Sequence, residues 1–185
     1  MRGDPRCHSG HDDRCQKGFS LLEMAVVLII VSVLLWVIGT RFFQIQVFAE
    51  QAATEQVVGA LQSALGMKVA EYYVKGETKR IEALEASNPM DYLAQVPKTY
   101  LGAMRQPKPA TIQGGHWYFD AGKRVLVYQV RNADQVEGGA RNPARLRWAV
   151  RLQYEDRNGN KIFDSGLEQV VGVQLVPLEP FRWKR

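Results

Sequence analysis

An apolar run close to the N-terminus constrains this chain more than any other feature. From Met24 to Gly39 only Ser32 is polar, and no proline interrupts the run. Extending it back to Phe19 adds Ser20 and Glu23 and gives about twenty residues, the length at which a helix crosses a bilayer. The chain has 185 residues, 46% of them hydrophobic, and beyond this run its composition is that of an ordinary globular domain. The expectation is one domain carried on a membrane anchor.

The flanking charges give the orientation. Arg2, Arg6, Arg14 and Lys17 precede the run, whereas Arg41 alone follows it before Lys68. Positive charge stays on the cytoplasmic side, so the N-terminus is expected inside and the globular part exported. Cys7 and Cys15 both precede the run, which leaves the exported part without a thiol or a disulfide of its own. The formal charge is +5, of which the residues before Phe19 contribute +1. A mildly basic balance of this size points to no particular partner.

The run differs from a secretory signal. Its downstream end, Trp36-Val37-Ile38-Gly39-Thr40-Arg41-Phe42-Phe43, is too bulky for a small-residue cleavage site. The punctuation lies upstream, in Lys17-Gly18-Phe19-Ser20-Leu21-Leu22-Glu23-Met24. A carboxylate inside a membrane segment costs about 2–3 kcal/mol near the centre and less at the edge, so Glu23 calls for a partner. Cleavage after Gly18 would make Phe19 a free ammonium and Glu23 the fifth residue of the shortened chain. In a bundle of parallel helices, a neighbour's ammonium could pair with it. The plainer reading is an acid placed at a helix start, where the macrodipole favours it.

On Gly18-Phe19-Ser20-Leu21-Leu22-Glu23 and the apolar run behind it, the chain resembles the type IV prepilin family, which includes the pseudopilins of type II secretion. The resemblance implies cleavage between Gly18 and Phe19 by a prepilin peptidase, N-methylation of Phe19, and use of Glu23 in subunit registry. It also implies a filament of like subunits, extruded by an inner-membrane assembly platform and a cytoplasmic ATPase. Two departures stand out. The helix-breaking proline that many pilins carry has no counterpart around Gly39 and Thr40, and the leader is long for the family.

The helical pattern continues beyond the membrane run. Val58, Leu61, Leu65, Val69 and Tyr72 form an apolar stripe, with Glu55, Gln62, Lys68 and Glu71 between them. With no proline from Phe19 to Lys75, and Gly76 as a stop, the helix is expected to run about 57 residues, or roughly 85 Å. Phe42, Phe43, Ile45, Val47 and Phe48 follow the membrane run, and burial between neighbouring helices or interfacial anchoring would account for them.

Residues 77–115 read as a connecting loop with one short helix, Met90 to Val96, opened by an Asn88-Pro89 cap. The period then changes to two. Strands are expected at His116–Asp120, Arg124–Arg131, Ala144–Tyr154 and Val170–Val176, with a turn at Ala121-Gly122-Lys123. The fold class is therefore α+β and pilin-like: a long N-terminal helix, its first half transmembrane, packed on a small antiparallel sheet. The expected organisation is a leader at 1–18, a membrane or filament-core helix at 19–39, an amphipathic helix at 40–76, the connector at 77–115 and the sheet domain at 116–185. Trp117-Tyr118-Phe119-Asp120 and Leu126-Val127-Tyr128, with Asn88-Pro89-Met90 ahead of them, look like the sheet start of some G-type pseudopilins and mannose-sensitive-type minor pilins.

Three further groups are candidates for binding. Asp156, Asn158, Asn160 and Asp164, with Glu168 nearby, carry hard oxygens suited to calcium. The EF-hand pattern is not met, because Lys161 stands at its glycine and Leu167 at its last acid. A plain hairpin turn on Asn158-Gly159 is the favoured reading. Arg145, Arg147 and Arg151 share one face of a strand and could meet nucleic acid, with Arg141, Arg182, Lys184 and Arg185 extending the patch, although a solvated face is the default. Cys7, His8, His11 and Cys15 have irregular spacing for zinc and lie in the leader. Enzyme activity finds no support: His116 is the one histidine after the leader, and no Gly-x-Ser-x-Gly or phosphate loop is present.

The sequence thus points to a pilin-like structural subunit. Its rivals are a DNA-binding minor pilin of an uptake system and an uncleaved protein with a single membrane-spanning anchor.

Overall fold

The computed structural model describes residues 20–165 and 167–184, with backbone alone at 40–44. Gly18, Phe19 and the Cys7, His8, His11, Cys15 group lie outside the described residues. The chain divides into two units between Phe43 and Gln44.

Helix α1 spans Leu21–Val74, close to the expected length. It ends at Gly76, whose φ is +69°. The Gly76 N–H donates to the Tyr73 carbonyl (3.1 Å) and the Glu77 N–H to the Tyr72 carbonyl (2.9 Å). This paired closure needs a left-handed residue at the turn, which glycine supplies without a Cβ clash.

Within the second unit, the stripe read from the periodicity is the buried face. Leu61 and Leu65 are fully buried, Val69 and Tyr72 nearly so, and Val58 packs beside them. They meet Trp117, Phe119, Leu126, Tyr128, Leu146, Trp148 and Val150 on one face of the sheet. The Trp117 ring lies 4.8 Å from that of Tyr128 and 5.4 Å from that of Trp148, tilted to both, so three rings cluster among the aliphatic chains of this core.

The strands are β1 (Tyr100–Met104), β2 (His116–Asp120), β3 (Val125–Gln129), β4 (Val136–Gly138), β5 (Arg145–Tyr154), β6 (Val170–Pro177) and β7 (Phe181–Trp183). Five form one sheet in the order β1-β2-β3-β5-β6, and β4 pairs with β7 apart from it. The four strands expected from the alternating pattern are all present. Between β2 and β3 the buried Asp120 holds the turn, its Oδ1 accepting from Gly122 N (3.0 Å) and Lys123 N (3.1 Å).

Three expectations need correction. The segment 77–115 is more than a loop, since β1 lies within it and pairs with β2 in parallel, so the sheet is mostly rather than wholly antiparallel. The expected helix from Met90 to Val96 is a single 3-10 turn, Pro89–Tyr92. Asn88 does cap it, accepting from Met90 N at 3.3 Å, but Leu93 is already extended. A four-residue helix, α2 (Lys79–Glu82), precedes it and buries Ile81. The sheet's second face is also covered in part. Tyr118, Val125, Val127 and Ala149 are buried there against Met104 and Ile112. That explains why β2 and β3 read as nearly continuous apolar runs.

Candidate assembly and anchoring site

Among its described residues, the first unit presents an exposed apolar surface. Leu21–Gly39 has a mean hydropathy of 2.9 and no buried residue. Leu21 is 91% exposed and Trp36 72%. Apolar area gains about 25 cal/mol for each Å2 withdrawn from water, so a helix apolar on all sides is driven into lipid or against like helices. Ser32 fits this setting because its hydroxyl donates to its own Leu28 carbonyl at 2.7 Å.

Glu23 lies in the first turn of α1 and is exposed. Among the described residues it makes no ion pair and no side-chain hydrogen bond. Its carboxylate therefore stands at the edge of the apolar segment, where a cation from another chain can reach it. Ile45 and Phe48 remain largely exposed at the start of the second unit, while Val47 packs against the core. The side chains of Phe42 and Phe43 lie outside the described ones.

Sequence reasoning passed over Glu50, the acid that fastens the helix to the sheet. Its Oε1 accepts from the Tyr128 hydroxyl (2.9 Å) and from Arg131 N (2.7 Å). Its Oε2 accepts from Asn132 N (3.1 Å) and Asn132 Nδ2 (2.6 Å). Four donors on one carboxylate satisfy both oxygens, so the charge is held without a salt bridge. Burial, and then the neighbouring Glu50 charge, push the Tyr128 hydroxyl well above the ordinary tyrosine range. The one available signal was an acid within Val47-Phe48-Ala49-Glu50, on the stretch leading into the buried stripe.

The loop between β5 and β6 brings together the residues considered for calcium. Asp156 accepts from Gly159 N (2.6 Å) and Lys161 N (3.0 Å). Asn158 and Asn160 both donate to Asp164 Oδ2, at 2.6 and 2.9 Å, and Glu168 accepts from Arg157 N and Asp164 N. The turn expected at Asn158-Gly159 lies within a longer connection. The connection covers residues 155–169, and Gly159 (φ +74°) turns the chain inside it.

Arg145, Arg147 and Arg151 share a strand face, but they are not a free basic stripe. Arg147 is ion-paired with Glu179, Arg151 lies 3.7 Å from Glu85, and Arg145 donates to the Pro143 and Arg141 carbonyls. The contacts of Arg145 and Arg147 occupy donors that a phosphate backbone would need. His116 is placed by its Nδ1, 3.1 Å from the Gln113 carbonyl.

Comparison with known proteins bears on the N-terminus. Residues 13–39 match the family model described as the prokaryotic N-terminal methylation motif. Comparisons with curated proteins and with solved structures found no match. The matched stretch covers Gly18, Phe19 and Glu23 and ends at the last residue of the apolar helix. It supports membrane anchoring, and it points to a structural subunit of the pilin type, which a prepilin peptidase processes and which assembles with other pilins. Residues 13–39 thus carry the prokaryotic N-terminal methylation motif, which supports the resemblance to type IV prepilins and pseudopilins.

Proposed function

We propose that this chain is a subunit of a type IV pilus or type II secretion pseudopilus. It is cut after Gly18, methylated on the new amino group of Phe19, and assembled through its N-terminal helix. Before assembly it stands in the inner membrane with its N-terminus cytoplasmic and its sheet domain in the periplasm. The observation that carries this reading is the methylation motif at 13–39, lying directly on a helix whose apolar surface is exposed among the described residues. Helix packing supplies the bulk of the association. Glu23 sets the register, because an unpaired carboxylate at the edge of an apolar bundle is unfavourable and a neighbour's ammonium relieves it.

The test is the intact mass of membrane-extracted protein, with and without a co-expressed prepilin peptidase. The expected product begins at Phe19, carries one added methyl and has lost Cys7 and Cys15. A full-length mass under both conditions would leave an uncleaved membrane anchor as the better account. In a filament-assembling host, Glu23→Ala is expected to leave cleavage intact and to reduce assembled filament at least tenfold by shear-fraction immunoblot.

A further inference from the structure

Beyond the helix, the sheet domain carries a second pair of surfaces suited to joining subunits. Lys123, Arg124, Arg147 and Arg151 line a pocket of about 370 Å3 whose remaining lining is apolar, Val125 and Ala149 among it. Every polar side chain in that lining is cationic. Glu179 and Glu85 hold Arg147 and Arg151 from outside it, while Lys123 and Arg124 have no ion-pair partner among the described residues. Arg124 also stands at φ +55°, in a region that disfavours any side chain, so a cation is kept where glycine would be easier.

The loop at 155–169 has the opposite character. On its surface Glu155, Asp156 and Asp164 outnumber Arg157 and Lys161, Glu168 being buried, and Ile162 and Leu167 stand out beside them, 66% and 72% exposed. Large apolar side chains so exposed, flanked by acids, match a pocket of cations around apolar walls in both charge and polarity. Phe163 of the loop packs on the helix-side core, whereas Val125 and Ala149 belong to the cluster on the other side. One subunit therefore presents a loop and a pocket of different character.

We propose that the occupant of the cationic pocket is the 155–169 loop of a second copy of this chain. Two different, complementary patches on one subunit make a head-to-tail contact, which propagates along a filament rather than closing a dimer. The inference rests on the filament reading above and names a sheet-domain contact within it.

Cysteine crosslinking tests it cleanly, since the processed chain has no cysteine of its own. Lys123→Cys and Ile162→Cys, both at exposed positions, are combined in one chain and oxidised mildly in assembled filaments. The expected result is a ladder of disulfide-linked multimers from the double variant and none from either single variant. Co-expression of the two single variants should yield a crosslinked dimer and nothing larger. Filaments that assemble normally but give no crosslink overturn this contact and leave the filament reading standing, as does a disulfide dimer from Ile162→Cys alone. A chain that stays uncleaved at Gly18 overturns both. The reversal Lys123→Glu with Arg124→Glu provides a second measurement. It is expected to cut filament yield at least fivefold with processing unchanged, and an undiminished yield would also count against the contact.

Discussion

The two ends of helix α1 meet different surroundings, and their residues differ accordingly. From Leu21 to Gly39 the helix is apolar almost all round, and none of its residues is buried. From Val58 to Tyr72 the apolar residues narrow to one stripe, which the sheet buries, and charged residues such as Lys68 and Glu71 take the outside. Backbone geometry is common to both. The circumferential pattern of side chains decides whether a stretch of helix needs lipid and like helices or a sheet from its own chain.

The largest expected effect is the contrast between Leu65→Ala and Leu28→Ala in detergent-solubilised full chain. Leu65 is fully buried, and its truncation is expected to cost about 3–4 kcal/mol through lost transfer energy and a cavity. Leu28 is 60% exposed, and the same change should alter unfolding by less than about 0.5 kcal/mol. Urea unfolding followed by tryptophan fluorescence reports both, because Trp117, Trp148 and Trp183 lie in the core. Equal losses at the two positions would break the comparison.

Next in size is Glu50→Ala. It leaves the Tyr128 hydroxyl, the Arg131 and Asn132 amides and the Asn132 side chain without their acceptor, and should cost about 2–3 kcal/mol in the same assay. Glu55→Ala, on the exposed side of the same helix, loses a single contact with Gln51 and should cost under about 0.5 kcal/mol.

Asp156→Ala should cost about 1–2 kcal/mol, because two amides of the loop lose their acceptor. Repeating the melt with millimolar calcium separates the two roles considered for this aspartate. A self-bonded turn predicts the same loss in either condition. A loss that grows with calcium would instead identify Asp156 as a ligand of the ion, through the stabilisation that binding adds.

Legibility in the sequence followed the range of the interactions. The apolar helix, the 58–72 stripe and the four longer strands each repeat a local period, which short-range pattern exposes. β4 and β7 have three residues each and exist through pairing with one another across a long stretch of chain, so neither has a pattern to read. β1 was hidden for a related reason: it follows Pro97, contains Gly102 at φ +95°, and is held by a parallel neighbour. At the site, Glu23 was visible because a carboxylate in an apolar run is anomalous wherever it folds. Glu50 and the Arg147–Glu179 pair take their meaning from partners far along the chain, which no local window contains.

The smallest effect tests the Glu50 clamp through pH. Burial and the Glu50 charge raise the Tyr128 hydroxyl in the folded protein, while the unfolded chain ionises near the ordinary tyrosine value of about 10. Above that pH the folded state binds more protons than the unfolded state, so stability must fall as pH rises. The contribution is fully present below about pH 10 and is lost on the way up through the folded value. The loss is expected to be below about 1 kcal/mol at pH 10.5, given at most about 1.4 kcal/mol per pH unit for one group. Tyr100 and Tyr118 are raised by burial as well, so the wild-type slope includes more than one phenol. The informative quantity is the difference from Tyr128→Phe, which gives up one hydrogen bond at neutral pH but should show a shallower decline between pH 10 and 11. Parallel curves for the two proteins would mean that the phenol beside Glu50 ionises as easily as any other. The helix would then be held to its sheet by the apolar stripe, with the carboxylate contributing through its amide contacts alone.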